Sequence, residues 1–275
     1  MAYPLPLGPS GDLWLYYSDT KSYDLTRNVS APGYSIATTQ GASDTTIILA
    51  PSLSALVVVD MQNFFLHPRC NDYPAGLDAA DRILEVVKKC RDIGIQIIWL
   101  NWGLAEADLL AMPAATQRSF ARSLISPPED NRQARYGFGS DMGSDRGRLL
   151  MAGSWNAALF DPLRDASDVD ADIFCSKNRI SGLWRDDTPL GKVLERNGYR
   201  TLLFAGVNTD QCVLGTLADA YNRGFDCVML DDCCATKTPG GKEVTILNAS
   251  NLYGFVTDSD SFCGGSTHER VLNSV

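Results

Sequence analysis

The 275-residue sequence predicts an α/β fold with a doubly wound, mostly parallel sheet of six strands and helices on both faces, a Rossmann-like three-layer arrangement. Three observations support this fold class. Short apolar runs alternate along the chain with segments of helical periodicity, the runs lack the polar alternation of half-exposed strands, and glycine follows several of the helical segments. With 45% apolar residues the chain can bury a large core, so we expect one domain with extensions.

The first predicted unit begins at residues 56–59, an apolar and largely β-branched run that is typical of a central parallel strand. Residues 79–90 have helical spacing, Gly94 ends this helix, and residues 95–100 form the next apolar run. Together these segments predict a βαβ unit. Asp60 directly follows the first strand and therefore stands at its carboxyl end.

Residues 101–170 are the least regular part of the sequence. We expect helix within residues 105–124 and a loop at residues 136–147 that acts as a lid. The glycines of that loop resemble a dinucleotide-binding fingerprint only loosely, because their spacing differs and no strand precedes them. We therefore predict no cofactor.

The rest of the chain returns to alternating strands and helices. The strands are predicted at residues 171–175, 201–205, 227–230 and 255–257, and the helices at residues 189–196, 211–223 and 242–253. Because parallel strands direct their carboxyl ends to one edge of a sheet, residues that follow different strands can meet in one crevice.

Residues 1–44 are rich in Gly, Pro, Ser and Thr and contain aromatic residues without a clear period. We expect an irregular N-terminal extension that packs on the domain or on a partner subunit, because so many aromatic side chains would be unusual in a free tail. A homo-oligomer is expected for the same reason. Residues 45–260 would form the α/β domain, and residues 261–275 a C-terminal tail.

Charge and hydropathy argue against several classes of partner. A net charge of −9 without clustered Lys and Arg argues against nucleic acid. No apolar run approaches the roughly 18 residues that a membrane span needs. Residues 1–17 lack the basic start and apolar centre of a signal peptide. We expect a cytoplasmic protein that binds neither nucleic acid nor membrane and acts on a small molecule.

The chain contains eight cysteines without C-x-x-C spacing, which predicts free thiols rather than a zinc site of the usual spacing. Only two histidines are present, His67 and His268. A mechanism that needs a histidine base or an ordinary catalytic zinc site has little to draw on. We therefore predict no metal.

Cys212 lies at a predicted turn from a strand to a helix. Backbone N–H groups and the positive end of the helix dipole favour the thiolate at such a position, which suits a nucleophile. The alternative is a buried structural cysteine, which is common for this residue type and stays open on residue type alone.

Asp60, Lys177 and Cys212 each follow the carboxyl end of a different predicted strand. Cys212 could attack a carbonyl carbon, and Asp60 could take the thiol proton and pass it to a leaving nitrogen. The positive charge of Lys177 could stabilise the thiolate and the carboxylate. We expect Lys177 and the helix start to lower the pKa of Cys212, with one proton shared between Cys212 and Asp60. Ordinary roles stay open, since an Asp at a strand end is commonly a helix cap and a Lys there is usually solvated.

Residues 57–65, 176–183 and 206–213 read VVVDMQNFF, SKNRISGL and GVNTDQCV. They resemble the three signature blocks of the isochorismatase-like cysteine hydrolases. The similarity covers about residues 53–258, and three blocks in the right order are much more specific than any one of them.

The resemblance implies a catalytic triad of Asp60, Lys177 and Cys212. It also implies a cis peptide bond between Val207 and Asn208, and an oxyanion hole formed by the backbone N–H groups of Asn208 and Cys212. Residues 45–260 would then be an isochorismatase-like hydrolase domain.

Members of the family that this chain resembles hydrolyse small amides and ureido compounds, among them nicotinamide, N-carbamoylsarcosine, ureidoacrylate and biuret. Isochorismatases proper cleave a vinyl ether and generally lack the cysteine, so Cys212 favours an amidase. Nicotinamidases add a metal site of Asp and His. His67 is the only histidine nearby in this sequence, so such a metal site, and with it nicotinamide as the substrate, is less favoured. Candidate pocket walls, with ordinary packing as the alternative for each, are Gln62, Phe65, Asn101, Trp102 and Trp184.

The leading hypothesis is a metal-independent amidohydrolase that cleaves the carbon–nitrogen bond of a small amide or ureido compound through a thioester at Cys212. One alternative is an isochorismatase-type ether hydrolase, for which Cys212 would be dispensable. Another is a non-catalytic binding protein on the same fold, with the N-terminal extension as its working surface.

Overall fold

The structure is a computed structural model that describes residues 3–42, 45–121 and 137–268. These residues contain two sheets of six strands each. The strands are β1 (Leu5–Leu7), β2 (Trp14–Tyr17), β3 (Ser22–Asp24), β4 (Gly33–Ala37), β5 (Thr46–Leu49), β6 (Ser54–Val59), β7 (Gln96–Trp102), β8 (Ile173–Lys177), β9 (Thr201–Val207), β10 (Asp226–Ala235), β11 (Phe255–Thr257) and β12 (Ser266–His268). The α-helices are α1 (Asn63–Leu66), α2 (Pro74–Ile93), α3 (Glu106–Ala111), α4 (Ala114–Phe120), α5 (Asp161–Ala166), α6 (Pro189–Asn197), α7 (Leu214–Asn222), α8 (Gly241–Asn248) and α9 (Ser259–Cys263).

The parallel sheet has the strand order β11-β10-β9-β6-β7-β8, and every pairing in it is parallel. The predicted α/β fold with a parallel six-stranded sheet and helices around it is confirmed. The chain runs outward from β6 through β7 to β8 and then returns to β9 on the other side of β6. The strand order therefore reverses between β6 and β9, and such a reversal opens a crevice at the carboxyl ends of the strands.

The ends of β6 and β9 approach each other unusually closely. Both strands are buried along their whole length, as expected for apolar runs that are covered on both faces. Gly206 pairs with Val59, has a φ of 123°, and would place a Cβ 2.1 Å from the Val59 carbonyl oxygen. Only glycine permits this approach, so Gly206 brings the residues that follow the two strands together.

Most predicted elements are present with shifted ends. α2 starts before residue 79, because Pro74 occupies its first turn, where a missing N–H costs little. β10 continues past residue 230, because its register shifts between Met229 and Cys234 and the pairing with β9 then resumes. Within the described ranges, no helix is both long and apolar enough to cross a membrane.

The helix predicted within residues 105–124 consists of two short helices, α3 and α4, separated at Pro113. Residues 122–136 lie outside the described residues, and so do the end of this predicted helix and the first residue of the predicted loop. The described part of that loop, residues 137–147, contains turns and a short 3-10 helix.

The structure corrects the prediction of an irregular N-terminal extension. Strands β1 to β4 lie in this segment and join β5 and β12 in a second sheet of order β1-β2-β3-β5-β4-β12. β12 pairs antiparallel with β4, so the predicted C-terminal tail contributes to the same sheet. The sequence does not indicate this sheet, because its strands have only three to five residues and one of them, β12, comes from the opposite end of the chain.

Arg27 links this second sheet to the parallel sheet through ion pairs and hydrogen bonds. Its guanidinium donates to Asp226 at the start of β10 and to Asp12. The Trp14 Nε1 also donates to Asp226, at 2.8 Å, and the Trp14 ring packs 5.6 Å from the ring of Phe255. Aromatic residues of the extension thus find partners within their own chain, and the homo-oligomer remains a prediction.

Candidate active site

Asp60 is the first residue after β6 and is completely buried. Its backbone has a φ of 55°, a left-handed conformation that Asp tolerates better than most residues, and its N–H donates to the Leu100 carbonyl at 2.9 Å. The chain therefore turns at the strand end, and the carboxylate contacts Lys177 rather than solvent.

Lys177 ends β8 and lies opposite Trp102 in the register with β7. Its ammonium lies 2.9 Å from Asp60 Oδ2 and 3.8 Å from the centre of the Trp102 ring, and it donates to the Arg179 carbonyl at 3.2 Å. The Lys177 side chain is only 2% exposed, so the alternative of a solvated lysine does not apply. A nearby carboxylate offsets part of the cost of burying an ammonium.

Cys212 lies in a π-helical turn, Thr209–Val213, directly after β9, and α7 begins at Leu214. The thiol is buried and lies within hydrogen-bonding reach of Asp60 and Lys177. The structure therefore brings together the three side chains that the sequence singles out, although distant segments of the chain supply them.

The Asp60 carboxylate has unused capacity to accept a proton. Among the described residues, neither of its oxygens has a well-directed hydrogen bond, although the Lys177 ammonium is 2.9 Å away. The contact is thus an ion pair with a poor hydrogen-bond angle. An oxygen with a free lone pair beside a thiol is suited to act as a general base.

Burial raises the pKa of the Cys212 thiol far above its ordinary value, the Asp60 carboxylate raises it further, and Lys177 opposes both. The sequence predicts the opposite direction, because it shows the helix start and the lysine but not the loss of water around the sulfur. Burial also raises the pKa of Asp60, against the effects of Lys177 and Cys212. Cys212 and Asp60 therefore titrate as one coupled pair, and Lys177 favours the charged form of each.

The peptide bond between Val207 and Asn208 is cis, as the resemblance implies. The Asn208 carbonyl accepts the N–H groups of Gln211 at 3.1 Å and Val213 at 3.3 Å. Asn208 directly precedes the π-helical turn and Cys212 lies within it, so their backbone N–H groups belong to one continuous segment. Their role as an oxyanion hole stays a prediction.

The Gln62 amide is held by backbone groups, and its place in a pocket wall stays a prediction. Its amide is fully buried, with Nε2 donating to the carbonyls of Trp102 at 2.8 Å and Ala157 at 2.6 Å, and with Oε1 accepting the Trp102 N–H at 3.0 Å. Gln62 therefore holds the end of β7 in place. Phe65 is 7% exposed and packs edge-on against Phe64, with ring centres 4.9 Å apart.

Trp102 is buried and forms an aromatic wall beside the triad. Its ring lies next to the Lys177 ammonium and packs on Phe120 and Phe138, with ring centres 5.3 and 4.9 Å away. Its Nε1 is buried and has no hydrogen-bond partner among the described residues. Phe120 and Phe138 flank residues 122–136 on either side, in the region where the sequence predicts a lid.

The last two pocket candidates differ in exposure. Trp184 is 38% exposed and lies between the guanidinium groups of Arg179 and Arg185, at 4.8 and 4.7 Å. It lines a cavity of about 170 Å³ together with Lys177. The side-chain oxygen of Asn101 is buried without a hydrogen-bond partner among the described residues.

A larger groove of about 640 Å³ lies between the second sheet and β11, where Trp14, Tyr23 and Phe255 line it. It contains no residue of the triad. Size alone would therefore select this groove, whereas the smaller cavity is lined by Lys177 but not by Asp60 or Cys212.

The residues near His67 do not fit the Asp and His metal site of nicotinamidases. His67 Nδ1 accepts the Arg69 N–H at 3.1 Å, and the ring packs edge-on against Trp155 at 4.9 Å. In the part of the chain that the structure describes, no group of three or more His, Cys, Asp or Glu side chains could hold a metal ion.

Tyr73 is a residue near the site that the sequence does not single out. It is buried, and its hydroxyl donates to the side-chain oxygen of Asn208 at 2.8 Å. No local pattern marks this pair, because 135 residues separate its members in the chain.

The model of a protein family described as "Isochorismatase domain" matches residues 54–261. The ureidoacrylate amidohydrolase RutB of Klebsiella variicola (strain At-22) is 29% identical over 228 residues, which cover 79% of this chain and 88% of that protein.

Two solved structures share the fold. A cysteine hydrolase from Pseudomonas syringae pv. phaseolicola 1448A superposes with a TM-score of 0.61 and 17% identity, over 82% of this chain and 95% of its own. N-carbamoylsarcosine amidase from Thermoplasma acidophilum superposes with a TM-score of 0.53 and 23% identity, over 75% and 96% of the two chains.

Proposed function

Since this chain belongs to the isochorismatase family, we propose that it is a cysteine-dependent amidohydrolase that cleaves a carbon–nitrogen bond of a small molecule through a thioester at Cys212. The observation that carries the proposal is one buried thiol in reach of a carboxylate and an ammonium that lie 2.9 Å apart. This set contains a nucleophile, a base and a counter-charge, all three of them buried.

In the first step, the Cys212 sulfur forms a bond to the carbonyl carbon of the substrate while Asp60 takes the thiol proton. The carbonyl π electrons move to the oxygen, where the N–H groups of Asn208 and Cys212 would stabilise the negative charge. Removing one such donor typically costs about 10²- to 10³-fold in rate. The transfer of the proton from sulfur to Asp60 leaves the net charge of the crevice unchanged, and Lys177 offsets the one negative charge throughout.

In the second step, the electron pair on oxygen returns and the carbon–nitrogen bond breaks. Asp60 delivers its proton to the departing nitrogen, which leaves as ammonia or an amine, and the acyl group remains on Cys212 as a thioester. Asp60 then takes a proton from a water molecule that attacks the thioester. The carbon–sulfur bond breaks, the sulfur regains the proton from Asp60, and the acid product leaves, so one water is consumed per turnover.

The raised pKa of the Cys212 thiol agrees with this order of events. A thiol that is neutral in the free protein is activated only when Asp60 takes its proton during attack. Asp60, whose pKa burial also raises, is a stronger base than an exposed carboxylate and can therefore hold the thiol proton until the nitrogen leaves.

We propose a small amide or ureido acid as the substrate class. The relative named ureidoacrylate amidohydrolase covers 79% of this chain, which makes ureidoacrylate the first compound to test. The packed rings of Trp102, Phe120 and Phe138 make the surroundings of the Lys177 ammonium apolar on one side.

We place the enzyme in the cytoplasm. All of its cysteines are free, and four of those outside the triad, Cys90, Cys227, Cys233 and Cys234, are at most 2% exposed. Free thiols in this number suit a reducing compartment.

The test is an ammonia-release screen over small amides and ureido acids with the wild-type protein, Cys212→Ala and the matched control Cys90→Ala. Cys90 is another fully buried free thiol, but it lies in α2, outside the triad. We expect turnover in the wild type and in Cys90→Ala, and loss of at least about 10³-fold in folded Cys212→Ala. Full turnover in Cys212→Ala would instead indicate chemistry that does not use the thiol, such as ether hydrolysis.

A further inference from the structure

Tyr73 fastens the side chain of Asn208, one of the two proposed oxyanion donors. The Tyr73 hydroxyl donates to Asn208 Oδ1 at 2.8 Å, and the tyrosine is only 3% exposed. This hydrogen bond is partly buried, and because its donor is buried it restricts the rotation of the Asn208 side chain.

Tyr73 is itself held by the start of α2. Its carbonyl accepts the N–H groups of Gly76 at 3.0 Å and Leu77 at 3.1 Å. A Cβ on Gly76 would lie 2.8 Å from Tyr73 Cδ1, so the glycine leaves room for the ring to fold over the first helical turn. The ring also faces Lys237, whose ammonium is 5.3 Å from the ring centre. The hydroxyl therefore has little freedom to move.

The contact completes the immobilisation of Asn208. On its carbonyl side, the Asn208 backbone is held by the N–H groups of Gln211 and Val213. On its amide side, Asn208 follows Val207 at the end of β9, a strand that is buried throughout. With the backbone held on both sides, the side chain is the part of Asn208 that could still rotate, and the hydrogen bond from Tyr73 restricts this rotation.

We propose that Tyr73 is a positioning residue, which keeps the Asn208 N–H directed at the oxyanion that forms during hydrolysis. This inference rests on the proposed function, because it assigns Tyr73 a task in the same reaction. Tyr73 would not touch the substrate. It would act only through Asn208, and its effect would appear in the transition state rather than in substrate binding.

Tyr73→Phe removes the hydroxyl and keeps the ring, so it tests the hydrogen bond alone. We expect kcat to fall about tenfold, less than the loss of a whole oxyanion donor, while KM changes less than about twofold. The matched control is Tyr199→Phe, since Tyr199 is a largely buried tyrosine whose hydroxyl contacts Gln96, away from the triad. We expect wild-type kcat in that control.

A double-mutant cycle shows whether Tyr73 acts through Asn208. Asn208→Ala keeps the backbone N–H and removes the side chain that Tyr73 holds, so Tyr73→Phe should add no further loss of kcat in that background. Losses that multiply independently in the double variant would overturn the inference, as would an unchanged kcat in Tyr73→Phe.

Alkylation of Cys212 by iodoacetamide separates this inference from the proposed function. The reaction forms no oxyanion at a carbonyl, so Tyr73→Phe should alkylate at the wild-type rate while its kcat is reduced. Equal losses of alkylation and kcat would show a general disturbance of the site and overturn the positioning role. If wild-type turnover proved independent of Cys212, the proposed function itself would fail, and the inference with it.

Discussion

The Lys177 ammonium lies 2.9 Å from Asp60 Oδ2, with both side chains at most 2% exposed. The two groups belong to strands β8 and β6, which are separated in the sheet by β7. Removing one partner of a buried pair leaves an uncompensated charge, which typically costs about 3 to 5 kcal/mol. The activities of variants at either residue should therefore be compared under conditions in which the variants are equally folded. The effects of these variants on the pKa of Cys212 follow from the charge that is removed.

Lys177→Ala should abolish most activity and make Cys212 harder to alkylate. Lys177 lowers the pKa values of both Cys212 and Asp60, so without it the pH at which iodoacetamide reaches half of its maximal rate should move upward. Lys177→Arg should restore little, because a planar guanidinium does not replace a compact ammonium beside Trp102 and Asp60. An unchanged alkylation profile in Lys177→Ala would show that Lys177 does not activate Cys212.

The acid limb of kcat/KM should reflect Asp60. The carboxylate must be ionised to take the thiol proton, and its pKa is raised by burial, so activity should be lost as pH falls through a value above the ordinary range of about 4. A pH profile of kcat/KM measures this limb. Activity that stays constant down to about pH 4 would contradict the assignment of Asp60 as the base.

Dialysis against a chelator should leave activity intact. His67 is occupied by Arg69 and Trp155, and within the described ranges no group of His, Cys, Asp and Glu side chains could hold a metal. The measurement compares turnover before dialysis, after dialysis, and after adding back divalent metal. Activity that disappears and returns only with added metal would contradict the prediction.

Arg27→Met should destabilise the fold by roughly 3 to 5 kcal/mol, because it leaves the Asp226 carboxylate buried and unpaired. Burial raises the pKa of Asp226 and Arg27 opposes this, so the variant should raise it further. When the pKa of a carboxyl is higher in the folded state than in the unfolded state, the free energy of unfolding falls as the pH rises from the unfolded pKa to the folded pKa. The defect should therefore be smaller at about pH 5 than at about pH 8.

Urea denaturation measures this defect, with Arg164→Met as the control. Arg164 pairs with Asp161 and Asp165 at the surface and is 53% exposed, so its loss should cost about 0 to 1 kcal/mol. Equal effects of the two variants would show that Arg27 does not anchor the second sheet.

The sequence could predict the three grouped side chains because each follows a strand of one parallel sheet. Asp60 and Cys212 follow buried strands and Lys177 ends β8, and the rule that parallel strands share a carboxyl edge is enough to bring them together. Family resemblance adds the cis peptide before Asn208, which the structure contains.

Features that depend on contacts between distant segments could not be predicted. No local signal shows that the Gln62 amide bonds to the Trp102 backbone, or that Tyr73 bonds to Asn208. The direction of the Cys212 pKa shift was also wrong, because desolvation depends on the whole packed crevice while the helix start is visible in the sequence.

The thioester on Cys212 is the central claim, and acid quenching during turnover, followed by peptide mass spectrometry, tests it most directly. The account predicts an acyl group on the peptide that contains Cys212, which forms and decays at rates compatible with kcat and is absent from Cys212→Ala. Turnover at the wild-type rate by Cys212→Ala, with no acyl group on the wild-type peptide, would contradict it.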